Sequence, residues 1–86
     1  MLYSISYSKQ AIKALRNLPE NLRDRICHKI NMLAMNPFAV RHVKILRGTD
    51  GYQLRIGEWR VIYEINRDRL EIYIIKVAPR SGAYKL

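Results

Sequence analysis

The sequence predicts an α+β fold: a strand, a two-helix antiparallel hairpin, then a three-stranded antiparallel meander, with the helices packed on one face of the sheet. Three observations predict it. Residues 52–56 and 59–65 are rich in β-branched and aromatic residues and flank Gly57-Glu58, the Gly-first pair of a type II′ hairpin turn. Apolar residues recur at helical spacing at Ala11, Ile12, Leu15 and Leu18, and again at Leu22, Ile26, Ile30 and Leu33. Leu2 to Tyr7 alternates, and Leu70 to Val77 is apolar on both faces, as a strand in a central position is.

Taken in order, Leu2 to Tyr7 is the first strand and Ser8 the N-cap of the first helix, whose Lys9, Lys13 and Arg16 lie off the apolar stripe. That helix ends near Leu18. Pro19 suits the start of the second helix, and Asn36-Pro37 stops it. Arg23, Arg25 and Lys29 read as its solvated face, Cys27 as a small buried thiol and His28 as a surface imidazole. Phe38 to Asp50 carries Arg41, His42, Lys44 and Arg47 and ends in the turn signal Gly48-Thr49-Asp50-Gly51, so it is expected to be a mostly irregular basic approach to the hairpin, with His42 a surface residue. Asn66 to Arg69 is a polar turn, Leu70 to Val77 the last strand, and Pro79 ends regular pairing. The tail from Arg80 to Leu86 is basic with one aromatic, Tyr84, which fits either a frayed terminus or a segment closing over a nucleotide.

The hairpin turn sets a register. Ile56 falls opposite Trp59, Leu54 opposite Val61 and Tyr52 opposite Tyr63 on an apolar face, while Arg55 falls opposite Arg60 on the other. Facing like charges destabilise a strand pair, so the two guanidinium groups either hold an anion between them or stand as solvated charges on an open sheet face. Trp59, Tyr52 and Tyr63 are expected in the core.

The 86 residues are expected to form one domain, residues 1–86. A formal charge of +9 points to a polyanionic partner, RNA, DNA or an acidic protein. No apolar run is long enough to span a bilayer and no apolar signal block opens the chain, so the expectation is a cytoplasmic protein with no membrane partner. One cysteine and two histidines, with no CxxC, make no metal-ligand set, and no glycine-rich phosphate loop suggests a nucleotide; no cofactor is expected.

The run LRGTDGYQLRIGEWRVIYEI and the RDRLEIYIIKVAPRSGAY that follows resemble the RelE/ParE superfamily of prokaryotic toxins, and within it the RelE branch. The pattern is met at Lys44, Leu46, Gly48, Tyr52, Leu54, Arg55, Gly57, Trp59, Arg60, Tyr63, Arg80 and Tyr84, and the similarity runs from Ser4 to Tyr84. The resemblance implies the toxin of a type II toxin-antitoxin system: an endoribonuclease that needs no metal, enters the ribosomal A site, cuts messenger RNA and is held in a hetero-oligomer by an acidic antitoxin. It implies that Arg55 helps activate the ribose 2′-hydroxyl, Arg60 steadies the phosphate, Arg80 assists the leaving oxygen and Tyr84 stacks on a base. Lys44, Arg47, Gln53 and Lys85 complete the expected RNA-binding set, Gln53 standing where well-studied relatives have a lysine. The alternative on the same fold is a ParE-like poison of DNA gyrase without nuclease chemistry.

Overall fold

The computed structural model describes residues 2–80. Seven elements follow one another: β1 (Ser4–Tyr7), α1 (Lys9–Arg16), α2 (Glu20–Met35), β2 (Val43–Ile45), β3 (Gly51–Ile56), β4 (Trp59–Asn66) and β5 (Glu71–Pro79). The five strands form one sheet in the order β1-β5-β4-β3-β2, antiparallel except for the parallel β1–β5 pair. The expected strand, helix pair and meander are therefore present, with one strand added at the edge.

That added strand corrects the expectation of an irregular segment before the hairpin. Val43, Lys44 and Ile45 pair with Leu54, Gln53 and Tyr52, and flanking bonds from Arg55 N to His42 O (3.0 Å) and Leu46 N to Gly51 O (3.0 Å) extend the ladder. Three residues are too few for alternation to register as a pattern. At the sheet edge, Ile45 keeps 73% of its surface exposed although its parity is that of the helix-facing side.

The helix ends follow the expected chemistry. Ser8 caps α1, its Oγ accepting from Ala11 N at 3.0 Å, and Lys13 and Arg16 occupy the last turn, where cations suit the helix dipole. α1 stops at Arg16 rather than Leu18. Pro19 precedes the first residue of α2, and the extended conformation of Asn36, before Pro37, ends it.

The core lies between helices and sheet. Ala11 and Leu15 of α1 and Ile26, Ile30 and Leu33 of α2 pack with Leu54, Ile56, Val61, Tyr63, Ile72, Ile74 and Val77. β5 owes its two-faced apolar pattern to a bulge: Ile62 pairs with Lys76 and Tyr63 with Ile74, leaving Ile75 unmatched. The extra residue resets parity, so Ile72, Ile74 and Val77 all point at the helices, while Lys76 and Ala78 share the opposite face with Ile62 and Arg60. α1 reaches back to this strand: Gln10 Oε1 accepts from Val77 N and Gln10 Nε2 donates to Val77 O, both at 3.1 Å, and the Ser8 hydroxyl donates to Ile75 O.

Tyr63 is fully buried and stacks on Tyr52, ring centroids 5.6 Å apart and planes 16° from parallel. Burial, with a smaller contribution from Tyr52, pushes its phenol well above the ordinary value near 10. The native state therefore keeps a proton that the unfolded chain gives up. Its stabilising effect is complete below pH 10 and is lost as pH rises further toward the folded-state value. Tyr63→Phe should flatten much of that alkaline loss, with Tyr7 and Cys27, both also raised chiefly by burial, contributing to the remainder. Because the buried Tyr63 hydroxyl has no hydrogen-bond partner among the described residues, the variant should gain about 1 kcal/mol at neutral pH. Urea melts at neutral and alkaline pH check both; an unchanged alkaline slope would place the titration elsewhere.

Candidate anion-binding site

The site is built on the sheet face turned away from the helices, and the hairpin that carries it has the expected register, with Arg55 directly across from Arg60. Gly57 sits at φ +59° and Glu58 is not in the left-handed region, the combination of a type II′ turn. A Cβ at Gly57 would meet only Arg25 Nη2, the movable end of an exposed side chain, at 3.1 Å, so it is the backbone and not the space that calls for glycine.

Two cross-strand rows make the floor. One runs Arg55, Arg60, Ala78; the next runs Lys44, Gln53, Ile62, Lys76. Past Pro79, Arg80 N donates to Glu58 O at 2.7 Å, continuing the β4–β5 ladder by one residue. By alternation from Ala78, Arg80 belongs on the same face, a placement that depends on the bulge at Ile75. A cleft of about 300 Å³ is lined by His42, Val43, Lys44, Gln53, Arg55, Arg60 and Arg80.

This gathers five of the residues singled out by sequence, namely Lys44, Gln53, Arg55, Arg60 and Arg80. Arg47, in the β2–β3 loop, is exposed and is not among the lining residues. Tyr84 and Lys85 lie outside the described residues. His42 was expected to be a surface residue; it is exposed and also lines the cleft. The signal that would have found it is the strand Val43–Ile45, because once that strand is drawn His42 falls beside Arg55.

Of the two alternatives for the facing arginines, solvated charges or an anion held between them, the first fits exposed Arg55 but not Arg60. It is 4% exposed, and Gln53 beside it 7%. Its position on the inner strand β4, flanked on both sides by paired strands, explains the burial. Among the described residues its guanidinium makes one hydrogen bond, Nη1 to Trp59 O at 3.3 Å; Nε is buried without a partner, and no carboxylate pairs with it. A buried cation lacking a counter-ion is costly, and here another guanidinium faces it across the strand pair. The arrangement complements an anion with several acceptor oxygens, for which arginine's planar fork is suited.

The charges are also segregated. Asp50, Glu64, Asp68 and Glu71, four of the chain's seven acidic residues, line a separate depression with Asn66, Arg67 and Tyr73. No carboxylate lines the basic cleft among the described residues. Such a field draws a polyanion toward the cleft and away from the Asn66–Leu70 end. Cys27 takes no part: burial, then Asp24, push its thiol up, with Arg23 opposing, and a protonated thiol is a poor nucleophile.

A family model described as the ParE toxin of the type II toxin-antitoxin system parDE matches residues 5–84. The chain belongs to the RelE/ParE toxin family. Among its relatives, the RelE1 protein of Methanocaldococcus jannaschii is 34% identical over 88 residues, covering 99% of this chain and 98% of that one. A chain of the archaeal RelE-RelB complex from Pyrococcus horikoshii superposes with a TM-score of 0.82 at 35% identity, over 93% of this chain and 97% of that one. The isolated RelE toxin of E. coli gives a TM-score of 0.77 at 23% identity, over 96% of each chain, which shows the shared fold. The RelE/ParE fold thus accounts for the helices on one sheet face and leaves the cleft open on the other. No helix among the described residues is long and apolar enough to cross a membrane.

Proposed function

We propose that this toxin is a ribosome-dependent endoribonuclease that cuts messenger RNA in the A site and so stops translation in the cytoplasm. The observation that carries the proposal is the buried Arg60 guanidinium, its Nε unpartnered among the described residues, facing Arg55 in a cleft that Lys44 and Arg80 also line. In-line attack by the 2′-hydroxyl on the adjacent phosphate leaves a 2′,3′-cyclic phosphate and a 5′-hydroxyl. Arg60 and Arg55 hold the phosphate and stabilise charge on its oxygens, while Arg80 stabilises the leaving 5′ oxygen. Tyr84 stacks on a base, and Arg47, Gln53 and Lys85 extend the contact to RNA. The chemistry uses protein cations and no metal. The ribosome supplies in-line geometry, which is why so small a cleft suffices.

An acidic antitoxin covers the basic face in the resting cell. The +9 charge supports this, as do relatives crystallised as complexes with RelB. A second reading, a gyrase poison, is favoured by one observation, the match to a ParE model. Expressing the chain without a partner separates the two: the nuclease reading expects protein synthesis to fail first with cut messenger, and the other expects failing DNA topology with intact messenger. Either way, co-expression of the cognate antitoxin should restore growth.

Binding to RNA should weaken steeply with salt, because each phosphate contact releases condensed counterions. With about four contacts, from Lys44, Arg55, Arg60 and Arg80, at about −0.7 each on single strands, the log-log slope should lie near −3. Filter binding across a salt series measures it. A flat dependence would remove these residues from the RNA footprint.

A further inference from the structure

The cleft holds one group that phosphate binding leaves without a task. Attack by a 2′-hydroxyl requires that its proton go somewhere, and the cations of the site are poor acceptors because ammonium and guanidinium groups stay protonated through the physiological range. Gln53 offers a non-basic amide and Val43 no polar side chain. Among the described residues lining the cleft, only His42 carries an imidazole, the side chain that most often serves as a general base.

The backbone at this residue is unusual as well. His42 has φ +66°, in the left-handed region that few residues other than glycine occupy, and its carbonyl is fixed by Arg55 N at 3.0 Å. It is thus tied to the strand that carries one of the phosphate-facing arginines, immediately before the strand that carries Lys44. Histidine is among the residues that take up this conformation more readily than most, so the backbone here is held rather than strained. The lining position and the tie to Arg55 coincide in the one lining residue with an imidazole.

We infer that His42 is the general base of the cleavage, an inference that rests on the nuclease reading above. The 2′ O–H bond breaks and its proton passes to an imidazole nitrogen of His42 as the 2′ oxygen bonds to phosphorus. The bond from phosphorus to the 5′ oxygen breaks, and that oxygen takes a proton from water. The imidazolium then returns its proton to solvent. The charged groups that line the cleft with His42 are Lys44 on β2, Arg55 on β3, Arg60 on β4 and Arg80 after β5, all cationic. They stabilise the negative charge building on the 2′ and phosphate oxygens, and the imidazole removes the proton they cannot take.

His42→Asn is the informative variant, since asparagine tolerates the left-handed backbone and hydrogen-bonds but is not basic. Single-turnover cleavage of ribosome-bound messenger should fall by about 100-fold or more at neutral pH, with ribosome affinity unchanged. Added free imidazole should restore part of the rate to His42→Asn and leave the wild-type rate unchanged. Cleavage by His42→Asn at the wild-type rate, or slower cleavage that free imidazole does not raise, would overturn the role of His42 while leaving the nuclease reading intact. A wild-type chain that leaves messenger whole would overturn both.

Discussion

Arg60→Ala is expected to slow single-turnover cleavage of ribosome-bound messenger by about two to three orders of magnitude, the loss typical of one buried charge-stabilising group. The size follows from where the guanidinium sits. At 4% exposure it acts in a low-dielectric setting, where its charge is worth more than it would be in water. Folding should survive the change, because a buried cation without a counter-ion is a burden on the native state. Arg60→Met keeps much of the volume and removes the charge; it should show the same kinetic loss with an unfolding midpoint no lower than wild type. Exposed Arg55 behaves differently. Arg55→Ala should lose about two orders of magnitude, while Arg55→Lys should keep most activity because its charge persists. Near-normal cutting by both alanine variants would take the hairpin out of the active site.

Ile72→Ala should destabilise the chain by about 2–5 kcal/mol, a large share of the about 5–15 kcal/mol that holds a small domain folded. Ile72 is fully buried on β5, paired with Ile5 of β1 on one side and Ile65 of β4 on the other, so its neighbours belong to a ladder that cannot collapse into the space left. Ile45→Ala, by contrast, should change stability by no more than about 0.5 kcal/mol, because the side chain is 73% exposed at the sheet edge. Urea unfolding of the two variants side by side decides it. Equal losses would mean that β2 is buried against something in solution.

Much of the site was legible in the sequence because the hairpin carries its own ruler. Gly57-Glu58 selects a turn, the turn selects a register, and the register puts Arg55 against Arg60 before any tertiary contact is known. What the register could not reveal was depth. Whether an arginine on a sheet face is solvated depends on how many strands flank it, and the three residues Val43–Ile45 are too few for their alternation to stand out. The same short strand hid His42, whose place beside Arg55 exists only once that edge is paired. β5 was legible in part. Leu70 to Val77 reads as a central strand, and β5 does lie between β1 and β4, but one unmatched residue turns the strand over and sends Lys76 and Ala78, and by alternation Arg80, to the cleft side. Nothing local to Ile75 marks it as the residue left over.

The reciprocal pair of bonds between Gln10 and Val77 has a consequence for how this chain meets other chains. β1 covers β5 only as far as Ile74, so the rest of β5 would otherwise present a ragged row of amide and carbonyl groups, the kind of template on which foreign strands polymerise. The carboxamide of Gln10, carried by a helix, offers the donor and acceptor that a neighbouring peptide unit would, and the Ser8 hydroxyl covers the carbonyl of Ile75. Two side chains thus impersonate a missing strand. A helix cannot propagate a sheet, so self-association is blocked on that flank without a further stretch of polypeptide.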